Sequence, residues 1–251
     1  MASTTTDRFQ PRVDANRRRA RVLLGGVGAA TFVVVWLVFA VIGVPLVGVV
    51  VAVGSAVGAV LALDRSADDY ALTRVGATPA DPLVHARFHN VVEGLCVAAG
   101  LPKPLLNVLE DEALNALALG RDPRTAALVV TSGLLEKLTR IELEGVLAHE
   151  LCHIKALDTL VSTIAIGTVG RVAPRLVPKV VGGPREALAD VTGVALTRYP
   201  PGLISALEKV RDDPCELGSP NPAIAHLWID APATDPLCPP LEERIQALRE
   251  L

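Results

Sequence analysis

The dominant feature of the hydropathy pattern is a run without one charged side chain, Val22 to Leu63, 42 positions in all. A single bilayer crossing takes about 20 apolar residues, so the run is long enough for two. Gly43-Val44-Pro45, near its middle, supplies a turn. The pattern therefore predicts two transmembrane helices, about 22–42 and 46–63. A cleaved signal peptide fits poorly, because its apolar core spans only about 7–15 residues. Residues 1–21 are polar and rich in Arg and Thr, which predicts a disordered basic tail. Residues 64–80 read as a linker into a second unit, 64–251.

Within that unit the periodicity alternates between helical and extended. Leu83 to Ala99 is amphipathic and ends at Gly100 before Pro102, as a helix does. Leu105 to Leu109 reads as a short strand. Ala113 to Leu119 and Thr125 to Thr131 flank Gly120-Arg121-Asp122-Pro123 and read as an antiparallel hairpin. A short helix near Leu134 to Leu138 leads into a longer one, Ile141 to Leu157. Thr139 and Glu142 form a capping box at its start. Leu143, Val146, Leu147, Leu151, Ile154 and Leu157 give it an apolar stripe. Its only glycine, Gly145, marks a place where a neighbouring backbone can approach. The stretch Thr159 to Gly170 has 12 uncharged residues, too few for a span. Arg171, Arg175 and Lys179 then recur every four residues, as a solvated charge face or one turned to anionic lipid headgroups. The remainder is mainly helical with Pro-rich loops. The fold class is α+β, mainly helical, with a small antiparallel sheet.

Composition sharpens the membrane reading. The chain is 51% hydrophobic but 3% aromatic, and its net charge of −3 offers no basic surface for nucleic acid. Arg12, Arg17, Arg18, Arg19 and Arg21 precede the first span. The positive-inside rule keeps that end in the cytoplasm, and two crossings return the chain there. The expected place is the plasma membrane, multi-pass, with residues 64–251 cytoplasmic. The four cysteines (Cys96, Cys152, Cys215, Cys238) form no C-x-x-C pair, which agrees with a reducing compartment.

His149-Glu150-Leu151-Cys152-His153 spells H-E-x-x-H on the capped helix. Two histidines at i and i+4 share a face and can reach one metal ion. The carboxylate between them can serve a water molecule as its base. Zinc, one ion per chain, with three protein ligands and an open position, is the expected cofactor. The residues alone leave the third ligand open among Glu186, Asp190, Asp158 and His226. Cys152 points off the ligand face and reads as a core thiol. His85 and His89 also stand at i and i+4 but lack an intervening acid, and read as ordinary histidines on a helix face.

Several further segments carry a resemblance. Ala99-Gly100-Leu101-Pro102, Asn115-Ala116-Leu117-Ala118-Leu119-Gly120, Val130-Thr131-Ser132-Gly133-Leu134-Leu135, Arg185-Glu186-Ala187-Leu188-Ala189-Asp190 and Pro239-Pro240-Leu241-Glu242-Glu243-Arg244-Ile245 are similar to motifs of the HtpX-type membrane metallopeptidases. That group also includes the CAAX prenyl endopeptidases. The resemblance implies a zincin-like (gluzincin) domain with Glu186 as third zinc ligand. Asp190 then fits a supporting role, accepting from a ligand histidine, and Asp158 matches a further acidic position that supports the site. It implies a zinc endopeptidase acting on peptide or protein substrates, membrane proteins in quality control among them. Glu150 would be the base, and the edge of the strand Asn115, Ala116, Leu117 and Ala118 would pair with substrate. Two features depart from the family. The region after the metal helix is short and charged, and Cys238 stands where a histidine is usual. The second departure keeps an alternative open: a catalytically impaired membrane scaffold that retains the fold and its zinc.

Overall fold

A computed structural model describes residues 5–182, 185–218, 221–231 and 239–251, with side chains from residue 9 onward. The uncharged run forms two long helices. Helix α1, Thr5–Val41, and α2, Pro45–Val75, pack along each other, and the turn between them uses Gly43 at φ 89°. Both are long and apolar enough to cross a membrane.

Both helices outrun the predicted spans. The segment expected as a disordered tail is helical from Thr5, which corrects that expectation. Phe9, Asn16 and Ala20 are buried and Val13 half-buried, a stripe at helical spacing that docks on the rest of the protein. Residues 1–4 lie outside the described residues. The predicted linker is helical as far as Val75. There Asp64 and Asp68 of α2 hold Arg121 at 2.7 and 3.2 Å, and Tyr70 stacks under Arg171. Gly76 ends the helix in the left-handed region.

The sheet is mixed, not wholly antiparallel as expected. Strand β1 (Thr78–Pro79) runs antiparallel to β2 (Leu105–Leu109), and β2 runs parallel to β4 (Ala127–Thr131). Strand β3 (Ala116–Leu119) pairs antiparallel with β4, as the hairpin pattern predicts. The order β1-β2-β4-β3 leaves β3 at an edge. The direction of β2 against β4 is a tertiary choice that no local turn signal encodes. Helix α3 (Ala86–Ala99) precedes β2, and α4 (Ser132–Lys137) follows β4.

Strands β3 and β4 are buried on both faces, so they read as continuous apolar runs rather than alternating ones. Ala116, Ala118, Leu128 and Val130 face a core with Leu143, Val146, Leu147 and Leu151. Leu117, Leu119, Ala127 and Val129 face Ala71 and Val75 of α2 with Ala165 and Ile166.

The metal helix is α5, Arg140–Lys155, with the predicted capping box fully formed. It packs on α8 (Glu186–Thr197) and α9 (Pro200–Asp212), and α10 (Leu241–Arg249) lies against α9. Gly145 admits the close approach expected of it, since a Cβ there would lie 2.7 Å from the Leu203 backbone nitrogen. After α5, Leu157 takes the left-handed conformation (φ 56°). The chain turns 74° into α6, Asp158–Gly167. Helix α6 is buried against α1 and α2, and α7 (Val177–Val181) follows it.

Candidate metal centre

Two helices bring three side chains to one point. His149 and His153 project from one face of α5, and Glu186 opens α8 opposite them. The two Nε2 atoms are 3.1 Å apart. Glu186 Oε2 lies 3.3 Å from His149 Nε2, and its Oε1 lies 3.6 Å from His153 Nε2. The trio is buried, and its ligand atoms all fall within 4.8 Å of one another. No other His, Cys, Asp or Glu group among the described residues is so arranged. Helix α8 reaches this close because Gly193 has no side chain; a Cβ there would lie 2.9 Å from the His149 backbone nitrogen.

Each imidazole has a second carboxylate on its outer nitrogen. His149 Nδ1 stands 2.8 Å from Asp190 Oδ1, with its N–H bent from the ideal line. His153 Nδ1 stands 3.1 Å from Asp158 Oδ2. With each outer Nδ1 turned to a carboxylate, both Nε2 atoms face inward, the arrangement a metal ligand needs. Asp158 reaches back to His153 because of the left-handed turn at Leu157.

The carboxylates are themselves held. Arg244 of α10 grips Asp190 with two bonds, 2.8 and 2.7 Å, and approaches Glu186 Oε2 at 3.5 Å. Asp158 accepts from Arg12 Nε at 2.9 Å and Asn16 Nδ2 at 2.8 Å, both on α1. Arg185 donates to Glu186 Oε1 at 3.1 Å and to Ser162 Oγ at 3.0 Å.

Electrostatics follow from this geometry. Burial alone would raise the carboxyl of Glu186, but His153, His149 and Arg244 hold it well below the usual range. Asp190 is lowered against its burial by Arg244 and His149. Asp158 is held at about 2, against burial, by His153 and Arg12. Burial would depress the two imidazoles, yet Asp190 and Glu186 raise His149, and Glu186 and Asp158 raise His153. Two buried imidazole nitrogens facing each other beside an ionised carboxylate call for a shared cation. The donor set of two imidazoles and one carboxylate is that of zinc.

Glu150 is buried beside this centre. It lines a narrow pocket with Ala118, His153, Arg185 and Leu227. Its carboxyl is raised by burial. Ala118 of the edge strand therefore lies in the same pocket as Glu150. The rest of that edge is partly taken, since Ile229 N–H donates to the Ala116 carbonyl at 2.9 Å. Asn115 exchanges bonds with Asp230, its side chain donating at 3.1 Å and accepting at 3.3 Å. Leu117 faces the opposite core.

Of the other sequence candidates, His226 is buried but sits outside the trio; burial first, then Arg185, keeps it neutral. Cys152 is buried among Phe9, Ala156 and Ala189, its thiol pushed up to about 11 by burial, as a core thiol should be. Cys238 lies outside the described residues. Arg244, Arg185 and Asn16 received no role from the sequence, and Arg12 received one only in membrane orientation. The first two stand inside the quoted motifs, and Asn16 and Arg12 lie on the docked side of α1.

Residues 82–183 match the model of peptidase family M48. A protease HtpX homologue of Caldanaerobacter subterraneus is 33% identical, covering 74% of this chain and 79% of its own length. One of Tropheryma whipplei is 38% identical, covering 66% and 72%. One of Dictyoglomus thermophilum is 30% identical and covers 96% and 94%. No solved structure is significantly similar. The chain belongs to peptidase family M48, beside its HtpX homologues.

Proposed function

We propose that this protein is an integral membrane zinc endopeptidase whose catalytic residues face the cytoplasm. One zinc would be held by His149, His153 and Glu186. The observation that carries the reading is the convergence of those three buried groups beside the carboxylate of Glu150. Zinc bound there supplies Lewis acidity to a peptide carbonyl and makes water more acidic. Asp190 and Asp158 keep the imidazoles oriented with their inner nitrogens unprotonated. Glu150 takes a proton from the attacking water and returns it to the leaving amine; burial strengthens it as a base.

An extended substrate would add to the outer edge of β3. Ala116 and Ala118 turn their backbone groups the same way, because strand residues alternate. Ala116 already accepts from Ile229, so the pairing of Asn115 to Ala118 narrows to Ala118, the member beside Glu150. Misfolded or unassembled membrane proteins are the proposed substrates, in keeping with the relatives' place among the HtpX proteases and with the two apolar helices here. The arginines before the first span support a cytoplasmic position for both ends of the hairpin, in a plasma-membrane protein.

Glu150→Gln tests the reading. The variant should keep its zinc and lose casein hydrolysis, because an amide cannot take the proton. Zinc without turnover in the wild-type protein would favour the scaffold alternative. Wild-type turnover in the variant would remove Glu150 from the mechanism.

A further inference from the structure

Two contacts to the metal centre come from outside the catalytic unit, at a separation of more than a hundred residues. Asn16 Nδ2 donates to Asp158 Oδ1 at 2.8 Å and to the Ala156 carbonyl at 3.0 Å. Arg12 donates to Asp158 through Nε at 2.9 Å and through Nη2 at 3.3 Å. Asn16 is 4% exposed and the Asp158 side chain 7%. The two α1 residues thus fork over one carboxylate whose Oδ2 also meets His153 Nδ1.

The position of Asp158 explains why help from α1 is needed. It follows Leu157, which bends the chain through 74° in a strained left-handed conformation. A carboxylate at the first residue after a bend is not fixed by its own helix. Phe9 packs with Cys152 and Ala156 and lies under the Lys155 ammonium, pinning α1 to the end of the metal helix. Arg17, Arg18 and Arg19, by contrast, are exposed.

We propose that the helical segment ahead of the first apolar run is a working part of the metal centre: Arg12 and Asn16 are positioning residues that orient His153 through Asp158. Helix α1 runs unbroken from these residues into the apolar run. The proposal makes the N-terminal anchor and the metal centre one unit, so the soluble part alone would bind metal poorly. It rests on the zinc reading above.

The test uses the full-length protein in detergent micelles and reads zinc affinity by competition with a chelator. Arg12→Ala and Asn16→Ala should each weaken zinc binding severalfold, up to the roughly tenfold or more expected for loss of Asp158, the outer partner of the ligand His153. Arg12→Lys keeps the charge without the fork and should fall between Arg12→Ala and wild type. Arg18→Ala, on the exposed face, should bind as wild type. The decisive comparison is the double variant. In an Asp158→Asn background, Arg12→Ala should cost little further affinity, because its route to His153 is already cut. Unchanged affinity in both alanine variants overturns the proposal, as does a loss that persists undiminished in that background. Absence of zinc from the wild-type protein would instead overturn the zinc reading.

Discussion

The two sides of the metal centre are built alike and anchored differently. On one side His149 leans on Asp190, which Arg244 holds with two short bonds; the side chains of Arg244 and Asp190 are 1% and 4% exposed. On the other side His153 leans on Asp158, held by Asn16 and an Arg12 side chain 26% exposed. The first arm runs from α5 through α8 to Arg244 of α10. The second is borrowed from the membrane hairpin. A buried pair must be completely bonded, since removing one partner strands a charge. A pair whose cation is partly exposed is buffered by water on that side and can be sacrificed at less cost.

The comparison is broken most severely at Arg244. Arg244→Ala would strip Asp190 of its guanidinium partner in the interior, at a cost of about 3–5 kcal/mol. Denaturant unfolding should show that loss, and metal binding should fail with it. A result within about 1 kcal/mol of wild type would mean that the first arm is not the structural one.

Gly193→Val acts on the same arm without touching a charge. A Cβ at 193 would lie 2.9 Å from the His149 backbone nitrogen, so α8 must retreat and carry Glu186 and Asp190 away from α5. The expected cost is about 1–3 kcal/mol, with weaker zinc binding.

Arg12→Ala, on the second arm, should cost only about 1 kcal/mol in unfolding free energy while lowering metal affinity. That split between stability and affinity is what separates the arms. Equal losses of stability in Arg12→Ala and Arg244→Ala would erase the distinction.

A third ion pair serves as a reference, because it lies at the far end of α5. Burial opposes it, but Lys209, Ser205 and the Thr139 cap hold the Glu142 carboxyl at about 2. An unfolded Glu titrates near about 4.3. A depressed carboxyl contributes its stability above the unfolded value and loses it as pH falls through the folded one. Glu142→Gln should therefore destabilise by about 1 kcal/mol at neutral pH, with the gap to wild type closing between about pH 4.3 and about pH 2. Zinc affinity should not change. A gap that persists below about pH 2 would show that the charge is not the cause.

How much of this was legible in the sequence depended on whether the signal was local. The apolar run, the capping box, Gly145 and the H-E-x-x-H spacing act within a few residues, and each lies where the pattern put it. The parallel pairing of β2 with β4 is a long-range choice and did not show. The tail was misread for a different reason. Phe9, Val13, Asn16 and Ala20 carry helical spacing, but surrounding arginines mask it, and Asn16 is polar because it serves Asp158. Glu186 was singled out from Asp190, Asp158 and His226 only by resemblance to a family. In the structure it is the one of the four that meets both Nε2 atoms, while the two aspartates stand on the outer nitrogens. Spacing alone could not reveal that division, because the bend at Leu157 and the approach at Gly193 set it.

The central claim is that two imidazoles and one carboxylate hold a zinc ion beside Glu150. Zinc K-edge X-ray absorption on the purified full-length protein tests it most directly. The account predicts close to one zinc per chain, coordinated by nitrogen and oxygen only, with the multiple-scattering signature of two imidazoles that disappears when both His149 and His153 become alanine. Zinc retained in that double variant, or sulfur among the ligands, would contradict it.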